Sequence, residues 1–142
     1  MSEASKAVAA PGELTFHGKK YKLAPMTIEM IGMFDAWIEQ RAYEAVERGR
    51  SLIPDDVYRD RLDSVTRLIS SGRLGYGSVA CLEAAKSLPG LKYCMLMQLQ
   101  AGNPGCHEID EKFVDEVFKD YQEQALIAMR KVNIADPTIA AP

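Results

Sequence analysis

Cysteine and histidine are the residue types here most able to do chemistry, and Cys81, Cys94, Cys106, His17 and His107 are all of them. Cys106 and His107 adjoin, and a thiol beside an imidazole is the raw material of a nucleophile and its base. Consecutive side chains in the loop AGNPGCHE seldom face each other, however, and no third residue is placed to orient the imidazole. The loop instead reads as the approach to a helix cap. Cys81, Cys94, Cys106 and His107 also have the right ligand types for zinc, but they lack the close CxxC or HxxxH pairs that pre-organise the ion. Cys81 and Cys94 fall in apolar helical stretches, where a free cysteine behaves as a small buried hydrophobe. The glycine-rich SGRLGYGS (71–78) precedes a helix, as phosphate loops do, but it has neither the GxxxxGK[ST] pattern nor a strand before it. It reads as a connector. These residues predict no catalytic group, no cofactor and no metal, and the chain is expected not to be an enzyme.

Composition narrows the classes further. The 142 residues are 47% apolar and 26% charged, with a formal charge of −3, so no basic footprint for nucleic acid is present. The length suffices for a core without disulfides or metals. The densest apolar run, LKYCMLMQL, is far short of the roughly 20 residues that span a bilayer. The opening MSEASKAVAAPG has no apolar signal core, and the odd cysteine set suggests a reducing compartment. A cytoplasmic protein without membrane or nucleic-acid partners is expected.

The elements that must position any site begin with a hairpin. Leu14, Phe16, Tyr21 and Leu23 alternate with polar residues on either side of His17-Gly18-Lys19, and Gly18 can take the positive φ of the turn. Lys19, Lys20 and Lys22 then belong to the solvated side. Thr27 is an N-cap for a helix reaching about Arg48, with Gly49 as terminator and an apolar stripe of Ile31, Phe34, Ile38, Ala42 and Ala45. Trp37 flanks that stripe, and Met26, Met30 and Met33 add flexible thioethers.

Pro54 is placed to open a second helix, which Val57, Arg61, Val65, Leu68 and Ile69 mark until Gly72. Asp55 with Arg59 and Asp63 with Arg67 have the spacing of helical ion pairs. A short helix over Val79 to Ser87 follows, then the Leu91 to Leu99 segment, which should be the most buried. Asp110 caps the last helix, Ile109 and Val114 form a staple, and Val117, Phe118, Tyr121, Ala125, Ala128 and Val132 continue the stripe. The predicted fold class is mainly α (α+β), an N-terminal β-hairpin followed by a bundle of four to five helices. One globular domain is expected over 13–133, with the hairpin at 13–24 and helices over about 27–132. Residues 1–12 form an N-terminal arm and 134–142 a C-terminal tail in this reading.

The phrase LTFHGKKYKLAPMTIEMIGMFDAWIEQRA, covering Leu14 to Ala42, resembles the opening of the small tail assembly chaperones of tailed bacteriophages. There a short glycine-turn hairpin ends in a proline, an apolar residue and a threonine at the helix entry. The resemblance implies a helical protein that coats the long tape measure protein before tail tube polymerisation, in a bacterial host cell. It implies no catalytic residues. On that expectation an apolar or Met-rich face binds the partner, and Met30, Met33, Phe34 and Trp37 are its candidate contacts. A homo-oligomer is compatible with this use. The second expectation is a structural virion component, such as a head-tail joining or tail-completion protein, whose termini become ordered on assembly.

Overall fold

A two-residue connection between alternating strands needs positive φ at both central positions if the strands are to keep their right-handed twist. His17 (φ 51°) and Gly18 (φ 75°) supply it. They join β1 (Glu13–Phe16) to β2 (Lys19–Lys22) in antiparallel register, with Leu14 opposite Tyr21 and Phe16 opposite Lys19. Leu14, Phe16, Tyr21 and Leu23 are all buried and Lys20 and Lys22 face solvent, as the period-two pattern requires, while Lys19 shares the Tyr21 face yet stays exposed at the start of the strand, its ammonium 5.3 Å from the Tyr21 ring centre. The computed structural model describes residues 12–135. The expected arm and tail lie outside these residues, apart from Gly12 and the helical 134 and 135.

Among the described residues five helices follow the hairpin, which establishes the predicted mainly helical architecture. They are α1 (Ile28–Arg48), α2 (Asp55–Ser70), α3 (Val79–Lys86), α4 (Leu88–Gly102) and α5 (Glu111–Ala135), with a single 3-10 turn at Arg50–Leu52. Contacts divide the chain into two compact units. Of the described residues, one unit takes 12–27 and 88–135, and the other is Ile28–Ser87.

The first, the hairpin unit, has an apolar core. Met95 and Leu99 of α4 are fully enclosed, and the inner faces of the hairpin and of α5 close over them. Phe113 packs edge-on against both Phe16 and Tyr21, with ring centres 5.0 Å apart in each case. Such edge-to-face pairs add roughly 0.5–1.5 kcal/mol to simple burial. Asp110 caps α5 as its sequence predicts, its carboxylate accepting the Phe113 N–H at 2.9 Å, and Ile109 and Val114 are both buried. The α5 stripe breaks once. Tyr121 has φ −134° and ψ 32°, a kink with neither proline nor glycine, and its ring lies 5.3 Å from Phe16.

α4 starts earlier than the sequence suggests. Pro89 falls in its first turn, where no intrahelical amide donor is needed, so the helix runs through Pro89-Gly90 rather than beginning after them. Its far end holds β2 by imitation of a strand. The Asn103 side-chain amide accepts the Lys22 N–H at 3.1 Å and donates to the Lys22 carbonyl at 2.8 Å. The Ala24 N–H donates to the Gln98 carbonyl at 3.0 Å, and the Gln98 side-chain nitrogen donates to the Ala24 carbonyl at 3.1 Å. Gly102 has no room for a side chain, because a Cβ there would fall on the Lys22 carbonyl.

The second, the helical unit, is built differently. The buried row of α1 is Met30, Phe34, Ile38 and Val46, which corrects the predicted stripe. Ile31 and Ala42 are half-buried and Ala45 is exposed, because the row advances by fours from Met30 instead of from Ile31. Tyr58 is the buried residue of α2. Its hydroxyl donates to Glu47 and its ring carries the Arg50 guanidinium at 4.7 Å. Pro54 stands just before α2, one residue earlier than expected, with extended backbone.

Candidate functional site

Apolar surface that a protein leaves in water is the first place to look for a partner site, because burying it is the main driving force for association. Among the described residues, the large exposed hydrophobics are Ile28, Met33, Leu52, Leu68, Tyr76, Val79, Leu82, Leu88 and Ile127. The first seven belong to the helical unit. Ile28 and Leu52 are each 84% exposed and Val79 is 72% exposed.

The four predicted contact residues separate into two kinds. Met30 and Phe34 are buried, at 7% and 4% exposure, so they support α1 from within and present little surface to a partner. Met33 is 47% exposed and Trp37 is half-buried. Met33, Trp37 and Arg41 recur at four-residue steps, which places them along one side of the helix. Arg41 lies over the Trp37 ring at 4.8 Å, and Phe34 stacks on the same indole at 5.4 Å with a 24° tilt. The stack restrains the tryptophan before any partner arrives, which lowers the entropy cost of using it as an anchor. Arg41 escaped sequence reasoning, although its four-residue step from Trp37 was visible.

Three further features frame this unit. A shallow groove of about 480 Å³ runs between α1 and α2, lined by Ala42, Ala45, Val46, Val57, Arg61 and Val65 among others. Tyr76 in the glycine-rich connector and Val79 and Leu82 of α3, three residues apart on the helix, are further exposed apolar side chains. Gly72 and Gly77 in that connector have positive φ, and Ser78 caps α3 by accepting the Cys81 N–H at 3.1 Å. The loop therefore turns the chain and starts a helix, as its sequence indicates. Tyr58 and Cys81 both lose acidity here. The hydrogen bond to Glu47 holds the Tyr58 phenol above its usual value, and burial pushes the Cys81 thiol up.

The residues first considered for chemistry are scattered. Cys81 is buried in the helical unit, while Cys94 and Cys106 pack against the core of the hairpin unit. His107 is exposed beside Cys106, and His17 sits at the hairpin tip against Phe16. No three His, Cys, Asp or Glu side chains among the described residues gather as metal ligands would. No described helix is long and apolar enough to cross a membrane. No family model, curated protein or solved structure matches this chain.

Proposed function

We propose that this chain works by binding another protein, as a non-enzymatic tail assembly chaperone that engages the tape measure protein while a phage tail is built in the bacterial cytoplasm. The observation that carries the protein-binding part is the concentration of exposed apolar side chains on the helical unit, in contrast to the hairpin unit, whose hydrophobics are largely enclosed. The tail-assembly part rests on the resemblance of Leu14 to Ala42. A chaperone for a long amphipathic helix needs an accessible apolar surface, and the helical unit offers one. Met33, Trp37 and Arg41 serve as the first contacts, with Met, Trp and Arg all enriched at the centres of protein interfaces.

The test is co-expression with the longest helical protein encoded beside this chain, followed by affinity capture and mass measurement of the complex. Several copies per long partner are expected, and Met33→Ala with Ile28→Ala should reduce capture while leaving the fold intact. A protein that stays monomeric and captures nothing under these conditions would end the chaperone reading.

A further inference from the structure

At its C-terminus α2 closes with a Schellman turn. The Gly72 N–H donates to the Ile69 carbonyl at 3.1 Å and the Arg73 N–H to the Leu68 carbonyl at 3.1 Å, with Gly72 at φ 75°. In this motif an apolar residue at the second position after the helix usually covers the one three places before the cap. Here those positions are Arg73 and Leu68, and Leu68 remains 36% exposed. Arg67, Leu68, Ser70, Ser71 and Arg73 line an open groove of about 550 Å³ at this end, two guanidinium groups and no carboxylate. The spacing of Asp63 and Arg67 predicts an ion pair, but the two are not within salt-bridge distance, and neither Arg67 nor Arg73 has an acidic partner among the described residues.

Arginine is unevenly used along the chain. Residues 28–87 hold seven arginines and one lysine, whereas the rest of the sequence holds one arginine and eight lysines. Lysine serves for solvation, but arginine presents a planar fork that pairs with carboxylates and is favoured at interfaces.

We propose that the groove at the end of α2 docks an acidic peptide segment, whose carboxylates pair with Arg67 and Arg73 while a neighbouring apolar side chain covers Leu68. The charge of the lining selects this occupant, since a basic or purely apolar segment would leave both guanidinium groups without counter-charge. Ser70 and Ser71 border the same groove, although the Ser71 hydroxyl already donates to the Leu68 carbonyl at 3.1 Å. The inference rests on the protein-binding reading above and adds the chemistry of the partner segment.

The experiment uses the full chain. A randomised peptide display library is selected against it, and the most enriched peptide is synthesised for binding titrations. Enriched sequences should carry at least two Asp or Glu beside an apolar residue. Arg67→Glu with Arg73→Glu should weaken binding about tenfold or more, in the range expected for lost interfacial charge pairs. Arg48→Glu with Arg59→Glu, both exposed and outside either groove, should change it little. The gentler Arg67→Gln with Arg73→Gln, checked by circular dichroism, keeps the result readable if the reversal disturbs the helix end. Enriched peptides without acidic residues, binding indifferent to the Arg67 and Arg73 changes, or displacement by equimolar inorganic phosphate would each overturn the proposal. So would a failure to enrich any peptide. Capture of the long helical partner by the double variant at wild-type strength would remove the groove from that contact while leaving the chaperone reading in place.

Discussion

Gly102→Ala is the substitution for which the structure makes the sharpest demand. On helix propensity alone it should stabilise α4, by up to about 1 kcal/mol. The added methyl would fall on the Lys22 carbonyl oxygen, with the Lys22 carbon at 2.8 Å and the Ala24 nitrogen at 3.1 Å. All three atoms are backbone, so no rotamer change relieves the contact. β2 would have to retreat by about 1 Å toward an ordinary separation of about 3.5 Å. That movement strains the four hydrogen bonds linking Lys22 and Ala24 to Asn103 and Gln98. Overpacking costs about 1–3 kcal/mol and the four weakened bonds together about 1 kcal/mol, which the propensity gain offsets, so the net loss is about 1–3 kcal/mol. Gly32→Ala provides the control. Gly32 lies inside α1 with nothing within 4 Å of its would-be Cβ, and the same methyl should stabilise by about 0.5–1 kcal/mol. Urea titrations followed by far-ultraviolet circular dichroism measure both. A neutral or stabilising Gly102→Ala would refute the close packing of α4 on β2.

Asn103→Ala removes three side-chain hydrogen bonds, two to Lys22 and one to the Leu99 carbonyl, and should cost about 1–3 kcal/mol in the same titration. Tyr58→Phe keeps the ring but loses the donor to Glu47, and a cost near 1 kcal/mol is expected, read as a lower urea midpoint at unchanged slope. Met30→Ala should destabilise by about 2–5 kcal/mol and Met33→Ala by less than about 0.5 kcal/mol, a contrast that thermal melts of the two variants will resolve. The Lys19 ammonium bonds Glu108 at 3.0 Å. Glu108's own backbone N–H, and then Lys19, hold its carboxyl below the usual carboxylate range. A lowered carboxyl stabilises the fold above its unfolded value and loses that contribution as pH falls through the folded one. The melting temperature of wild type should therefore fall more on acidification than that of Glu108→Gln, and parallel curves would remove the pair from the account.

What the sequence discloses about this fold is the part governed by local rules. Alternation and Gly18 locate the hairpin, Thr27 and Asp110 mark helix starts, and Gly72 marks a stop, because each depends on the backbone needs of its own few residues. The tie from Asn103 to Lys22 joins residues 81 positions apart, and Tyr121, at the kink, meets Phe16 from the far end of the chain; a linear pattern carries no signal for either. The partition of the contact candidates was hidden for a related reason. Met30 and Met33 are the same residue type three positions apart, and only the direction in which α1 packs decides that one is buried and the other exposed. Asp63 and Arg67 have the right spacing for a pair, but an exposed pair is worth so little that spacing alone does not fix the rotamers.

Two strands cannot cover their own outer edges, and an open edge is an invitation for another chain to add a strand. Along β2 the groups that would extend such an invitation at Lys22 and Ala24 are already taken by Asn103 and Gln98. The end of a helix thus stands where a third strand would lie. At Lys22 and Ala24 the backbone therefore has no donor or acceptor left to offer an added strand, and the helix end does for this edge what a covering element does in larger sheets.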